Sequence, residues 1–156
     1  MRRILKNCLP VIIWLGVIFF GSTDLMSAEH TSRFIVPFLH WLNPGISPET
    51  LVSMHFFFRK CAHIGEYAIL ALLLLRAAIV MTNFKRSVSI LYARVLIICV
   101  FVAATDEFHQ TFVASRGALA TDVLIDSIGA ILGLLIGAIF GVTTSVRNET
   151  AHGVDR

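Results

Sequence analysis

Four runs of the chain, at about residues 8–24, 62–81, 88–110 and 119–143, are apolar and long enough to cross a bilayer as helices, since a crossing takes about 20 residues. This constrains the fold more than any other feature. Hydrocarbon offers no hydrogen bonds, so an isolated spanning segment must satisfy its own backbone, as a helix does. Composition points the same way: 56% of the 156 residues are hydrophobic, 15% are charged, and the mean hydropathy is +0.80. A soluble domain carries about 25% charged residues. The expected fold class is all-α integral membrane, four transmembrane helices in a compact bundle, forming a single domain over residues 1–156. The net charge of +3 is small and scattered, so no nucleic-acid partner is indicated.

Arg2, Arg3 and Lys6 ahead of the first run imitate a signal peptide. The only plausible cleavage point, in "LMSA", has Met26 where a small residue is needed, so a retained first helix is expected. Cys8, Cys61 and Cys99 form no Cys-x-x-Cys pair and read as small buried hydrophobes.

The segment between the first two runs has its own organisation. "FIVPFLHWL" is apolar, aromatic and interrupted by Pro37, which suits an amphipathic element lying in the membrane interface. Asn43-Pro44-Gly45 reads as a turn. Ser47, Pro48 and Glu49 read as an N-cap, a first-turn proline and an early acid. Leu51, Met54, His55 and Phe58 then share one face. A helix starting here can run unbroken into the second span, reaching about 50 Å at 1.5 Å per residue.

Basic residues set the expected orientation. Arg2, Arg3 and Lys6 precede the first span, and Lys85 and Arg86 occupy the connection between the second and third. Both ends of the chain are therefore expected in the cytoplasm and the long first loop outside. Nine of thirteen Lys and Arg then fall on the cytoplasmic side or half (2, 3, 6, 76, 85, 86, 94, 147 and 156). Eight of ten acids fall on the outer side (24, 29, 49, 66, 106, 107, 122 and 126). The acids are not part of the rule, so their one-sidedness is a separate observation.

That topology brings two polar stretches, "RKCAHIGEY" and "ATDEFHQTFVASRGALATDVLID", to one membrane face. In the second span Lys60, His63, Glu66 and Tyr67 lie within about 120° of arc at 100° per residue. In the third, Asp106 and Gln110 are one turn apart, with Glu107 on the adjoining flank and His109 on the other. In the fourth, Asp122 and Asp126 head a stripe of Gly129, Gly133, Gly137 and Gly141. Small residues at this spacing let helix backbones approach closely, within one chain or between copies in a homo-oligomer. Asp122 and Asp126 continue the stripe and should face protein. Lys60, Arg59 and Arg116 are the expected partners for the carboxylates, while Arg76 and Arg94 reach cytoplasmic headgroups.

Two broad readings stand for this cluster: a functional site, the default for intramembrane ionisable groups, or a structural ion-pair network. Arg59 and Lys60 also suit interface anchors. As chemistry, His63 with Asp106 or Glu107 makes an acid–base pair, with Glu66 nearby. Lys60 and Arg116 can clamp an anionic group; Tyr67, Gln110, Asp122 and Asp126 complete the binding set. A divalent metal on His63, Glu66, Asp106 and Asp122 is the weaker option, for want of a recognised ligand spacing. No cofactor fingerprint, Walker loop or nucleophile elbow appears.

"KCAHIGEYAILAL" and "DEFHQTFVASRGALATDVLIDSIGAILG" resemble the VanZ-like family, named for a protein associated with teicoplanin resistance. Lys60, His63, Glu66, Tyr67, Asp106, Glu107, Gln110, Arg116, Asp122 and Gly129 match its motif positions. Ala114-Ser115 stands where many members have Pro-Gly, Asp126 where better-known members often have Asn, and Ser22-Thr23-Asp24 where many read Ser-Ser-Gln. The resemblance implies a multi-pass protein of the bacterial cytoplasmic membrane linked to the cell envelope and, in some members, to glycopeptide tolerance. The expected partner is a membrane lipid or lipid-linked envelope precursor with an anionic headgroup, held in a pocket facing the outer leaflet. An acid–base enzyme acting on such a lipid and a proton-coupled transporter are the alternatives.

Overall fold

The computed structural model describes residues 2–23, 28–82, 88–113 and 120–141. Five helices account for most of them: α1 (Arg2–Gly21), α2 (Ala28–Leu42), α3 (Pro48–Thr82), α4 (Val88–Gln110) and α5 (Ala120–Ile139). Among the described residues there is no strand. Three helices, over Pro48–Met81, Val88–Gln110 and Ala120–Ile139, are long and apolar enough to cross a membrane, and α1 adds a shorter apolar stretch, Leu5–Gly21.

Helix α3 begins where its residues dictate. The backbone N–H of Thr50 donates to Ser47 Oγ at 3.3 Å, the bond an N-cap makes to the third helical residue. Pro48 takes the first helical position, where a missing N–H costs nothing. The preceding turn closes through Ile46 N–H to Asn43 carbonyl at 3.2 Å and Gly45 N–H to Asn43 Oδ1 at 3.1 Å. From there α3 runs 35 residues without a break. At 1.5 Å per residue it is about 52 Å long, more than the hydrocarbon core of about 30 Å.

Several expectations need correcting. Pro37 does not interrupt the first-loop element, because it sits inside continuous helix α2. A single proline removes one backbone bond, and the helix is anchored past it by Leu39, which is buried. On the α3 face, Leu51 and His55 are buried, but Phe58 points outward. Cys99 is buried as expected, whereas Cys61 is exposed. The last helix ends at Ile139 rather than near residue 143, because Gly141 adopts φ 61°. That left-handed conformation terminates helices and suits glycine.

The core is built around α3 and α5. Gly129 and Gly133 bring the two backbones together so closely that a Cβ on Gly133 would lie 2.3 Å from the carbonyl oxygen of Ala68. One on Gly129 would lie 2.5 Å from that of Ile64. Gly137 meets the side chains of Leu72 and Leu75. Gly141 meets nothing within 4 Å and belongs to the helix end, not to the seam. Residue numbers rise together along both helices, so α3 and α5 run parallel. Helix α1 runs opposite to α3: Cys8 Sγ lies 3.7 Å from Met81 Sδ, while Gly21 lies beside Glu66. Leu70, Leu75, Val95, Cys99 and Ala130 fill the centre.

Candidate functional site

The parallel alignment of α3 and α5 carries the two polar stretches to the same end of the bundle. Lys60 Nζ donates to Asp122 Oδ1 in a close ion pair. One turn deeper, His63 Nδ1 stands 3.2 Å from Asp126 Oδ1. Asp126 is 0% exposed. Neither of its carboxylate oxygens, nor His63 Nδ1, makes an aligned hydrogen bond to any described residue. The contact is thus one of proximity, able to become an ion pair if the imidazole carries a proton.

Helices α1 and α4 close the cluster from the other side. Asp106 Oδ2 accepts from Ser22 Oγ at 2.7 Å and from Gln110 Nε2 at 3.0 Å, all three residues buried. Glu107 is buried beside it. Trp14 Nε1 donates to the Glu66 carbonyl at 2.9 Å, and Glu66 Oε1 lies against the last residue of α1, 3.6 Å from where a Gly21 Cβ would be. Tyr67 is fully buried, its hydroxyl without a hydrogen-bond partner among the described residues. His109 faces Phe19, with ring centroids 4.7 Å apart.

The expected residues therefore converge, with different pairings. Among the described residues, the carboxylate within ion-pair distance of His63 is Asp126. Among the described residues, Asp106 is held by a hydroxyl and an amide. Arg59 lines a cleft of about 390 Å³ between α2 and α3. Arg116 lies outside the described residues. Among the described residues, no three His, Cys, Asp or Glu are grouped to hold a metal ion.

Ser22 and Trp14 did not stand out as contributors. Each left a trace: Ser22 closes an apolar run within a family-like tripeptide, and Trp14 is the aromatic with a polar tip inside that run.

Among the described residues of this cluster, carboxylates outnumber cations. Glu66, Asp106, Glu107, Asp122 and Asp126 stand against Lys60 and the titratable His63. A buried carboxylate without hydrogen bonds is costly, since neither solvent nor protein compensates its lost hydration.

An all-helical membrane protein with long apolar helices and a buried polar cluster at one end of its bundle is the class these features define. The VanZ/LLP1 family model matches residues 8–141, and the chain belongs to that family. No curated protein and no solved structure matches it.

Proposed function

We propose that the chain is a four-span protein of the bacterial cytoplasmic membrane, with both termini in the cytoplasm, that engages an envelope lipid or lipid-linked precursor at its polar cluster. Asp126 carries this reading: it is wholly enclosed, yet neither oxygen is hydrogen-bonded within the described residues. A purely structural polar knot would be expected to satisfy its members. A headgroup with hydrogen-bond donors would complete this one. The apolar length of α1, Leu5–Gly21, supports a fourth crossing. The basic residues near the start of α1 and at 85 and 86 support the orientation.

Lys60 is engaged by Asp122, so an anionic group on the headgroup would have to compete for it or rely on Arg116. A link to glycopeptide tolerance would follow if the engaged species were a precursor displayed outside the cell.

One observation favours a second reading. His63 beside Asp126 places a titratable base and a carboxylate together, the minimum for acid–base chemistry on a bound lipid.

Thermal unfolding of the purified chain, titrated with envelope lipid extract, tests the leading reading. A ligand of the folded state raises the midpoint. The rise is expected for the native chain and not for Asp126→Asn; an equal response of both would remove the site from consideration. Mass spectrometry of total envelope lipids separates the two readings. A species whose mass changes with the native chain, and not with Asp126→Asn, assigns turnover; unchanged masses discard the enzyme. Orientation is tested by Glu49→Cys in a chain otherwise free of cysteine. Reaction with an impermeant maleimide in intact cells is expected, and reaction only after permeabilisation would invert the topology.

A further inference from the structure

Helix α1 packs on α3, and α4 packs on α5 and α3, leaving a cleft of about 480 Å³ between α1 and α4. The volume falls within the roughly 300–1,000 Å³ of ligand pockets. Leu15, Ile18 and Val102 form apolar walls, Gly16 lines it between them, and Asp106 and His109 stand at its polar end. Three observations describe its interior. A Cβ at Gly16 would meet nothing within 4 Å, so the space beside this residue is open and no helix contact requires a glycine here. His109 Nδ1 is buried and takes no hydrogen bond from the described residues. Both bonds to Asp106 from described residues fall on Oδ2, and a carboxylate has about four acceptor sites.

We propose that this cleft receives one acyl chain of a membrane lipid whose headgroup carries hydrogen-bond donors, with the headgroup lodged at Asp106 and His109. The inference rests on the lipid-engaging reading above and adds the route: the lipid enters sideways from the bilayer between α1 and α4. Apolar walls match the chain, and the acceptor-rich end matches a donor such as an ammonium or hydroxyl group. Ser22 and Gln110 hold Asp106 in place at the mouth.

The test uses the full chain in nanodiscs of phosphatidylethanolamine and phosphatidylglycerol, with a trace of phosphatidylethanolamine bearing a diazirine in its acyl chain. After illumination, crosslinked residues are mapped by mass spectrometry. The expected pattern is enrichment at Leu15 and Val102 over the outward-facing Ile12 and Ile97, with several-fold loss in Gly16→Phe. Gly16→Ala, which adds only a Cβ into open space, should keep the labelling, and an unfolding midpoint of Gly16→Phe equal to that of the native chain excludes a folding defect. A phosphatidylcholine probe, whose methylated headgroup has no donor, should show no such enrichment. Enrichment that survives Gly16→Phe, or that phosphatidylcholine matches, would overturn the cleft assignment while leaving the polar cluster as a headgroup site. Labelling that is even over all lipid-facing residues, with no difference between the native chain and Asp126→Asn, would mean ordinary boundary lipid and would overturn both.

Discussion

His63 Nδ1 lies 3.2 Å from Oδ1 of Asp126, a carboxylate that is wholly buried and makes no hydrogen bond to a described residue. This pair distinguishes a working site from a structural clasp, because the two make different demands on stability. Breaking a satisfied buried pair costs about 3–5 kcal/mol. An unsatisfied carboxylate returns little stability, so Asp126→Asn should change unfolding free energy by only about 1 kcal/mol while lipid-dependent stabilisation is lost. Thermal unfolding with and without lipid measures both. A loss of several kcal/mol without lipid would instead mark the pair as structural.

Lys60 and Asp122 sit nearer the end of the bundle, their side chains 17% and 13% exposed. Their coupling should survive reversal of the charges. Lys60→Asp and Asp122→Lys should each destabilise the chain, and the double variant should recover about 1–2 kcal/mol of the loss. A double-mutant cycle reads this coupling, and strictly additive effects would mean the pair contributes no specific interaction.

The glycine seam makes a graded prediction. A Cβ on Gly133 would press on backbone, 2.3 Å from the Ala68 oxygen. Backbone cannot swing aside, so Gly133→Ala should cost about 3 kcal/mol, the upper part of the range for overpacking. Gly141→Ala faces open space but must hold φ near 61°, which costs about 1–2 kcal/mol. Unfolding midpoints in detergent should rank native, Gly141→Ala and then Gly133→Ala in falling order.

Ser22 ties the end of α1 to α4 through Asp106 at 2.7 Å. A hydrogen bond to a charged group contributes about 1.5–3 kcal/mol. Ser22→Ala should therefore cost about 2 kcal/mol and weaken lipid engagement, since Asp106 loses one of its two holders. If unfolding and lipid response were both unchanged, Ser22 would have no part in the cluster.

Much of this arrangement was legible in the residues. The start of α3 followed from Ser47, Pro48 and Glu49, and Asp122 and Asp126 were expected to face protein because they head the glycine stripe. The convergence of both polar stretches followed from alternating helix direction. The pairings were not legible, for a physical reason. Whether Lys60 meets Asp122 or Asp126 depends on how far α5 slides along α3, and that offset is set where Gly129 meets Ile64 and Gly133 meets Ala68. Spacing within one helix carries no information about contact height between two. The same limit hid Ser22, whose contribution comes from where α1 stops relative to α4. At Pro37 and Gly141 local signals misjudged helix ends: one proline was tolerated, and one glycine ended a helix earlier than hydropathy suggested.

The most direct measurement is native mass spectrometry of the chain released from membranes, comparing the native protein with Asp126→Asn at equal yield. The account predicts that the native chain retains a defined lipid or lipid-linked species with a donor-bearing headgroup, and that Asp126→Asn releases it. Equal retention by both proteins, or none by either, would contradict the claim that this buried carboxylate exists to meet a lipid.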